Sequence, residues 1–211
     1  MLQRFSYRDG RKEMPSVHRD TEILRRLLAA GAVAALLGTV LGAYGSIGRA
    51  PDLTPILVSS PRVVVLKSKR LLHLFDGDRL VRSYPIDLGV SPQEDKRLAA
   101  DGRTPEGLFR IVTKNPRSPF HRFLGLDYPD LDAVEHGLTS RLITFGEAAA
   151  ILRARGAGVC PDWSTVLGGG IGIHGRRRGW DWTAGCIALA DRHVDELFGI
   201  LRLGDPVEIL P

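Results

Sequence analysis

RVVVLKSKRLLHLFDGDRLVRSYPIDLG, residues 62–89, reads as short strands joined by turns. Val63–Leu66 and Leu71–Phe75 are β-rich runs, and Asp76-Gly77-Asp78 is a turn signal, which together predict a hairpin. Leu80–Ile86 supplies another strand. Downstream, TPEGLFRIVTKN (residues 104–115) opens on a Thr-Pro and Gly turn and then runs as a strand through Leu108/Phe109, Ile111 and Thr113. Between these strands, Ser91–Arg103 is polar and charged and is expected to be an exposed loop.

The remainder alternates loops, strands and modest helices. Pro116 to Pro129 carries Phe120, His121, Phe123 and Tyr128 and predicts a structured loop. Thr144–Arg155 predicts a helix with Thr144 as N-cap, Ala148, Ile151 and Leu152 on one face, and Gly156 past its end. In LGGGIGIHG, residues 167–175, an extended chain sends Ile171 and Ile173 to the core and Gly172 and His174 to the opposite, open face. Asp191 is expected to cap a second helix, whose Val194, Leu197, Phe198 and Leu201 follow helical spacing; Gly204 ends it. Pro206–Leu210 is a last strand. The sum is mainly β with a few helices, a β-sandwich or barrel with α additions rather than a doubly wound sheet.

At 211 residues, with 44% hydrophobic and 25% charged residues, the composition is that of a globular protein. The formal charge of +5 is scattered: Lys67, Lys69 and Arg70 form a short run, and Arg176–Arg178 lies within another motif. This gives no nucleic-acid footprint, and fits attraction to an acidic polymer such as a cell wall, or to anionic lipid. LLAAGAVAALLGTVLGAYGSI, residues 27–47, contains no charged residue and matches the length of about 20 residues that spans a bilayer. Arg19, Arg25 and Arg26 precede it, whereas Arg49 and Asp52 offset one another beyond it. The positive-inside bias therefore makes 1–26 a cytoplasmic segment, 27–47 a transmembrane signal anchor in the inner membrane, 48–60 a linker and 61–211 the folded domain outside, in the periplasm or its equivalent. Ala43-Tyr44-Gly45 before Ser46 keeps a cleaved signal peptide as the competing reading, against which the length of the leader and of the apolar run both speak.

GIHGRRRGWDWTAGCIAL, residues 172–189, holds one of only two cysteines in the chain. A cysteine attacks as its thiolate, so it needs a neighbouring base or positive charge. His174 can be that base if the glycine-rich loop between them folds back, with Trp180 and Trp182 pinning it. Spacing alone favours Cys186 as a small buried hydrophobe over a nucleophile. A zinc set of His121, His174, Cys186 and His193 lacks any CxxC or HxxxH pair, and no metal is expected.

These residues resemble the signature of the L,D-transpeptidase catalytic domain family, in which a His-Gly is followed by Ser/Thr-x-Gly-Cys. Here the matching residues are His174-Gly175 and Thr183-Ala184-Gly185-Cys186. Residues 63–89, DGRTPEGLFRIVTKNP (101–116) and FHRFLGLDYP (120–129) are similar to the family's opening strands, its Thr-Pro-x-Gly turn and a loop bordering its active site, so the resemblance covers about residues 61–211. It implies an L,D-transpeptidase-like β-sandwich and a cofactor-free cysteine acyl transfer on peptidoglycan peptide stems. In that mechanism Cys186 attacks the carbonyl at the L-centre of meso-diaminopimelate in a tetrapeptide stem and expels D-alanine. His174 carries the proton, the Gly175 carbonyl orients the imidazole, backbone N–H groups at Gly185 and Cys186 hold the oxyanion, and Thr183 shapes the pocket. An amine on another stem or on a wall-linked lipoprotein resolves the thioester; water makes the enzyme a hydrolase. DWTAGCIAL, residues 181–189, is similar to a murein L,D-transpeptidase-like subgroup that includes hydrolases of wall–lipoprotein links. Ala184 and Ala188 stand where many members carry His and Arg or Asn.

His121, Tyr128 and Arg176 are expected to line the substrate cleft, Arg176 by meeting stem carboxylates. Cys160, in GVCPDW, has no histidine beside it and reads as structural. The rival from another class is a silent, anchored wall-binding module, which has no need of both His174 and Cys186.

Overall fold

Alternation along the first strand sets the inner face of the sheet. In the computed structural model, which describes residues 56–211, β1 (Pro61–Leu66) fully buries Val63 and Val65, as the two-residue side-chain period of a strand allows. β2 (Leu71–Asp76) buries Leu72 and Leu74 in the same way, and Gly77, with φ +59°, turns the chain into β3 (Arg79–Pro85). The pairing is antiparallel from Pro61 opposite Asp76 to Leu66 opposite Leu71. This hairpin and its third strand lie where the sequence places them.

β4 (Gly107–Ser118) joins the two halves of the sheet. Its first residues, Gly107–Arg110, pair antiparallel with β8 (Pro206–Leu210), which itself runs parallel to β1. From Ile111 onward β4 pairs instead with β5 (His121–Leu126), and β5 pairs with β6 (Gly172–His174), which runs parallel to β7 (Ile187–Ala188). The order β3-β2-β1-β8-β4-β5-β6-β7 is thus one eight-stranded sheet. It curls far enough for the chain leaving β3 to meet β7 through the bridge Asp87–Ala188 and the turn before β7 through the bridge Gly89–Thr183. Where a β-sandwich is expected, the molecule therefore has a single sheet, because β4 passes from one ladder into the other. Both halves still enclose one core, in which Val65, Leu74, Ile111, Leu126, Ile173, Ile187 and Ile209 meet. Each such side chain contributes about 1.5–3 kcal/mol by burial.

Among the described residues there are three helices. α1 (Leu131–Thr139) starts on Asp130, whose carboxylate accepts from Ala133 N at 3.0 Å. α2 (Phe145–Gly156) starts on the expected Thr144, completed as a capping box by Glu147. Val134, Ile143, Ala148, Ile151 and Leu167 form a second small core between them. Leu152 is exposed instead of sharing the buried face. α3 (Asp191–Ile200) lays Val194 and Leu197 on the main core.

Two further expectations change. Pro116–Pro129 is not simply a loop but holds the end of β4 and all of β5: the register shifts between Asn115 and Ser118, and this irregularity accommodates Pro116, which has no N–H for a regular ladder. The Ser91–Arg103 loop is present but not simply exposed, since Lys96 within it is buried.

The compact unit runs Ile56–Pro211, and Ile56 and Val58 pack on its core, so the last residues of the expected linker adjoin the domain. The cytoplasmic segment at 1–26 and the signal anchor at 27–47 lie outside the described residues. Among the described residues no helix is long and apolar enough to cross a membrane.

Candidate active site

The parallel pairing of β6 and β7 sets the geometry. Ile173 lies beside Ile187 and both are fully buried in the core; His174, the next residue of β6, takes the other face beside Ala188, and Cys186 immediately precedes β7. The sequence expects that face to be open. Instead His174 is only 2% exposed, because the hairpin tip between β4 and β5 folds Phe120 over it. The Phe120 ring stacks on the imidazole at 4.8 Å between centroids, and Trp182 meets it edge-on at 5.8 Å.

Burial and one hydrogen bond define the chemistry of the imidazole. Nδ1 lies 2.7 Å from the Gly175 carbonyl oxygen, which can only accept, so Nδ1 carries the proton and Nε2 holds a free lone pair. Burial draws the His174 pKa below its usual value, against the opposing pull of the Gly175 carbonyl. Cys186 is half-buried and free, and its thiol donates weakly to the Gly170 carbonyl at 3.4 Å. Burial pushes that thiol up to about 11, opposed by a backbone hydrogen bond from Gly172 and by the Lys96 ammonium.

A tight turn presents the cysteine. The Thr183 hydroxyl donates to the Cys186 carbonyl at 2.7 Å and accepts from Gly185 N at 3.1 Å. The Gly185 N–H, expected as an oxyanion donor, thus already has a partner inside the turn. Gly185 sits at φ +132°, and a Cβ there would fall 2.5 Å from the Arg103 carbonyl oxygen, so only glycine fits.

The loop joining the two residues is strapped from both sides. Asp87, buried, accepts from Arg178 N at 2.6 Å and Gly179 N at 2.9 Å, and pairs with Arg177 Nε at 3.1 Å. Asp181 pairs with Arg70 and accepts from Leu88 N at 2.8 Å. Asp191 departs from its expected role: α3 has no side-chain cap, and the Asp191 carboxylate accepts from Arg176 N at 2.7 Å.

The remaining expected site residues are dispersed. His121 lies at the hairpin tip beside Gly175, but its Nε2 bonds Asp195 on α3 at 2.9 Å. Arg176 is exposed at the start of the loop. Tyr128 is a core residue, 1% exposed, whose hydroxyl donates to the Leu167 carbonyl at 3.3 Å. Cys160 is free and half-buried, and burial raises its thiol pKa. Among the described residues no group of three or more His, Cys, Asp or Glu could hold a metal ion. Sequence reasoning missed Asp87, Lys96 and the cover that Phe120 provides. Asp87 did leave a signal, a carboxylate between Ile86 and Leu88 in an apolar run, which requires partners once buried.

The family profile of the L,D-transpeptidase catalytic domain (YkuD) matches residues 60–209, the span from β1 to β8. The chain belongs to that family. No curated protein matches it. Solved structures similar to this L,D-transpeptidase-family chain include the L,D-transpeptidase (residues 123–326) of Xylanimonas cellulosilytica, at 17% identity and a TM-score of 0.43, covering 74% of this chain and 63% of that one. The helical cell shape determining protein Pgp2 of Campylobacter jejuni is 22% identical with a TM-score of 0.48, covering 72% and 49%. Bd1075 of Bdellovibrio bacteriovorus is 20% identical with a TM-score of 0.47, covering 72% and 48%. The chain therefore spans between 48% and 63% of the length of these three relatives.

Proposed function

We propose that this protein is a cysteine acyltransferase of peptidoglycan, acting on tetrapeptide stems outside the cytoplasm. Family membership supports a peptidoglycan-modifying role, and the observation that carries the mechanism is the His174 Nδ1 bond to the Gly175 carbonyl, which leaves Nε2 free as a base, with Cys186 just before the strand that pairs with that of His174. The thiol proton passes to Nε2 and sulfur attacks the carbonyl at the L-centre of diaminopimelate. The carbon–nitrogen bond to D-alanine then breaks, and the departing amine takes the proton back from the imidazolium. An amine of a second stem attacks the thioester, gives its proton to His174 and releases Cys186. Cys186 N–H is the donor this reading assigns to the oxyanion, with Gly185 N–H joining it once it exchanges its bond to Thr183. Anchoring through residues 27–47 would keep the domain at the membrane surface, within reach of the wall.

The test is to incubate the full chain and Cys186→Ala with disaccharide-tetrapeptide and resolve the products by mass spectrometry. The wild type releases D-alanine and forms cross-linked dimer, and Cys186→Ala loses at least about a thousandfold of the rate. Shortened stems without dimer turn the reading to hydrolysis by the same thioester. Equal inertness of both proteins on stems and on lipoprotein-linked wall favours a wall-binding module.

A further inference from the structure

The peptide unit between Gly175 and Arg176 is held on both sides. Its carbonyl oxygen accepts from His174 Nδ1 at 2.7 Å, and its N–H donates to Asp191 Oδ1 at 2.7 Å. The peptides before and after it are secured by main chain: Gly175 N donates to the Phe120 carbonyl at 3.0 Å, and Arg177 N to the Leu189 carbonyl at 2.9 Å. Of these three units, the one facing the imidazole is the one fixed by a side chain. Two features mark that contact as specific. Arg176 has φ +63°, a left-handed conformation that is unfavourable for a residue with a Cβ and persists where surrounding bonds impose it. At Gly175 a Cβ would fall 2.5 Å from Asp191 Oδ1, so the carboxylate fills space that glycine leaves open. Asp191 is the first residue of α3, yet no side chain caps that helix; its carboxylate goes to the loop instead.

We propose that Asp191 is a positioning residue for the His174 base, acting through the Gly175–Arg176 peptide. The inference rests on the reading of His174 as the base of the proposed reaction. A peptide unit is planar, so a bond that fixes its N–H also fixes the direction of its C=O. Asp191 thereby aims the Gly175 carbonyl at Nδ1, which keeps the proton there and leaves Nε2 open to the thiol proton. Asp191 is exposed, and water screens its charge, so its role is geometric. Without the carboxylate the peptide is free to turn, Arg176 relaxes from its left-handed conformation, and the imidazole carries its proton on either nitrogen. An imidazole protonated at Nε2 takes no proton from a thiol.

Nitrogen NMR of the histidine rings in isotope-labelled full chain reads the tautomer without any turnover. The spectra are taken at about pH 7.5, where the imidazole is neutral, with His174→Gln identifying the His174 signals. The parent is expected to show the Nδ1–H form. In Asp191→Ala the ratio of the Nδ1–H to the Nε2–H form is expected to fall at least about fivefold, the scale of one lost hydrogen bond. D-Alanine release from disaccharide-tetrapeptide falls with it, by about tenfold. Asp191→Asn, whose amide oxygen still accepts the Arg176 N–H, keeps the tautomer. An unchanged ratio in Asp191→Ala overturns the proposal even where the rate falls, because a merely loosened loop slows the reaction with the proton still on Nδ1. A ratio that falls in Asp191→Asn as far as in Asp191→Ala overturns it too. If Asp191→Ala does not fold, Asp191→Ser, with a hydroxyl too short to reach the N–H, takes its place with the same outcomes. A parent inert on stems whose tautomer depends on Asp191 overturns the proposed function alone, and an active enzyme whose tautomer is indifferent to Asp191 overturns the role of Asp191 alone.

Discussion

Cys186 and His174 are shifted in opposite directions by the same cause. Burial raises the thiol and lowers the imidazole, so each favours its neutral form. At neutral pH the two groups therefore rest as thiol and neutral imidazole; in the proposed mechanism, charge separates only when the proton crosses to Nε2. Phe120 controls one side of this balance, because its ring covers the imidazole at 4.8 Å although the ring itself is 42% exposed. Phe120→Ala admits water to His174 and lets its pKa rise towards the ordinary value of about 6.5. Since the protonated imidazole accepts no proton, the acid limb of the pH profile for D-alanine release moves to higher pH. The rate at neutral pH falls about tenfold, as an imidazole without its stacking partner loses orientation. An acid limb that stays in place would remove Phe120 from any control of the base.

At the scale of elements, the loop from Gly175 to Ala184 is held by carboxylates rather than by regular structure. Asp87 receives two backbone N–H groups and the Arg177 guanidinium while buried, so Asp87→Ala strands three donors at once. The cost is about 3 kcal/mol, the scale of a broken buried ionic contact. Released from Asp87, the loop offers Arg176, Arg177 and Arg178 to trypsin; limited proteolysis is expected to cut the variant there while the parent resists, and equal resistance would show that other contacts hold the loop. These straps also mark the limit of what the sequence discloses. The β1–β2–β3 meander and β8 were legible because period-two alternation and Gly77 act locally. β5 was not, because Pro116 and Tyr128-Pro129 carry loop chemistry and only pairing with β4 and β6 makes that segment a strand. α1 escaped notice because it is nine residues long and contains Gly137, which lies against Ile143 and Leu167. Within the candidate site, the resemblance named His174, Cys186 and the Gly175 carbonyl, of which the structure joins His174 Nδ1 to the Gly175 oxygen. The partners of Asp191 and Lys96 are distant in sequence or set by loop closure, and no local pattern names them.

For the whole molecule, connectivity decides what must form together. β8, the last strand, lies between β1 and the first part of β4, with Val207 beside Val63 and Phe109. The centre of the sheet therefore closes only when the two ends of the domain meet, and at the far edge the Asp87–Ala188 bridge ties β7 to the chain leaving β3. Such non-local pairing is slow to form and cooperative once made. The backbone ladder and the buried side chains of β8 can be separated by two neighbouring substitutions. Ile209, 1% exposed, faces the core, whereas Leu210 on the other face is 37% exposed. Ile209→Ala is expected to cost about 3 kcal/mol, and Leu210→Ala less than about 1 kcal/mol, because the ladder is intact in both and only the first opens a cavity. Urea unfolding measures the difference through the midpoint at constant m-value. Equal losses would show that the burial of Ile209 stabilises the domain no more than the half-exposed Leu210 does. A loss confined to Ile209→Ala, with fluorescence of the site tryptophans changing in the same transition as far-UV circular dichroism, would show that β8 and the His174–Cys186 region stand or fall as one cooperative unit.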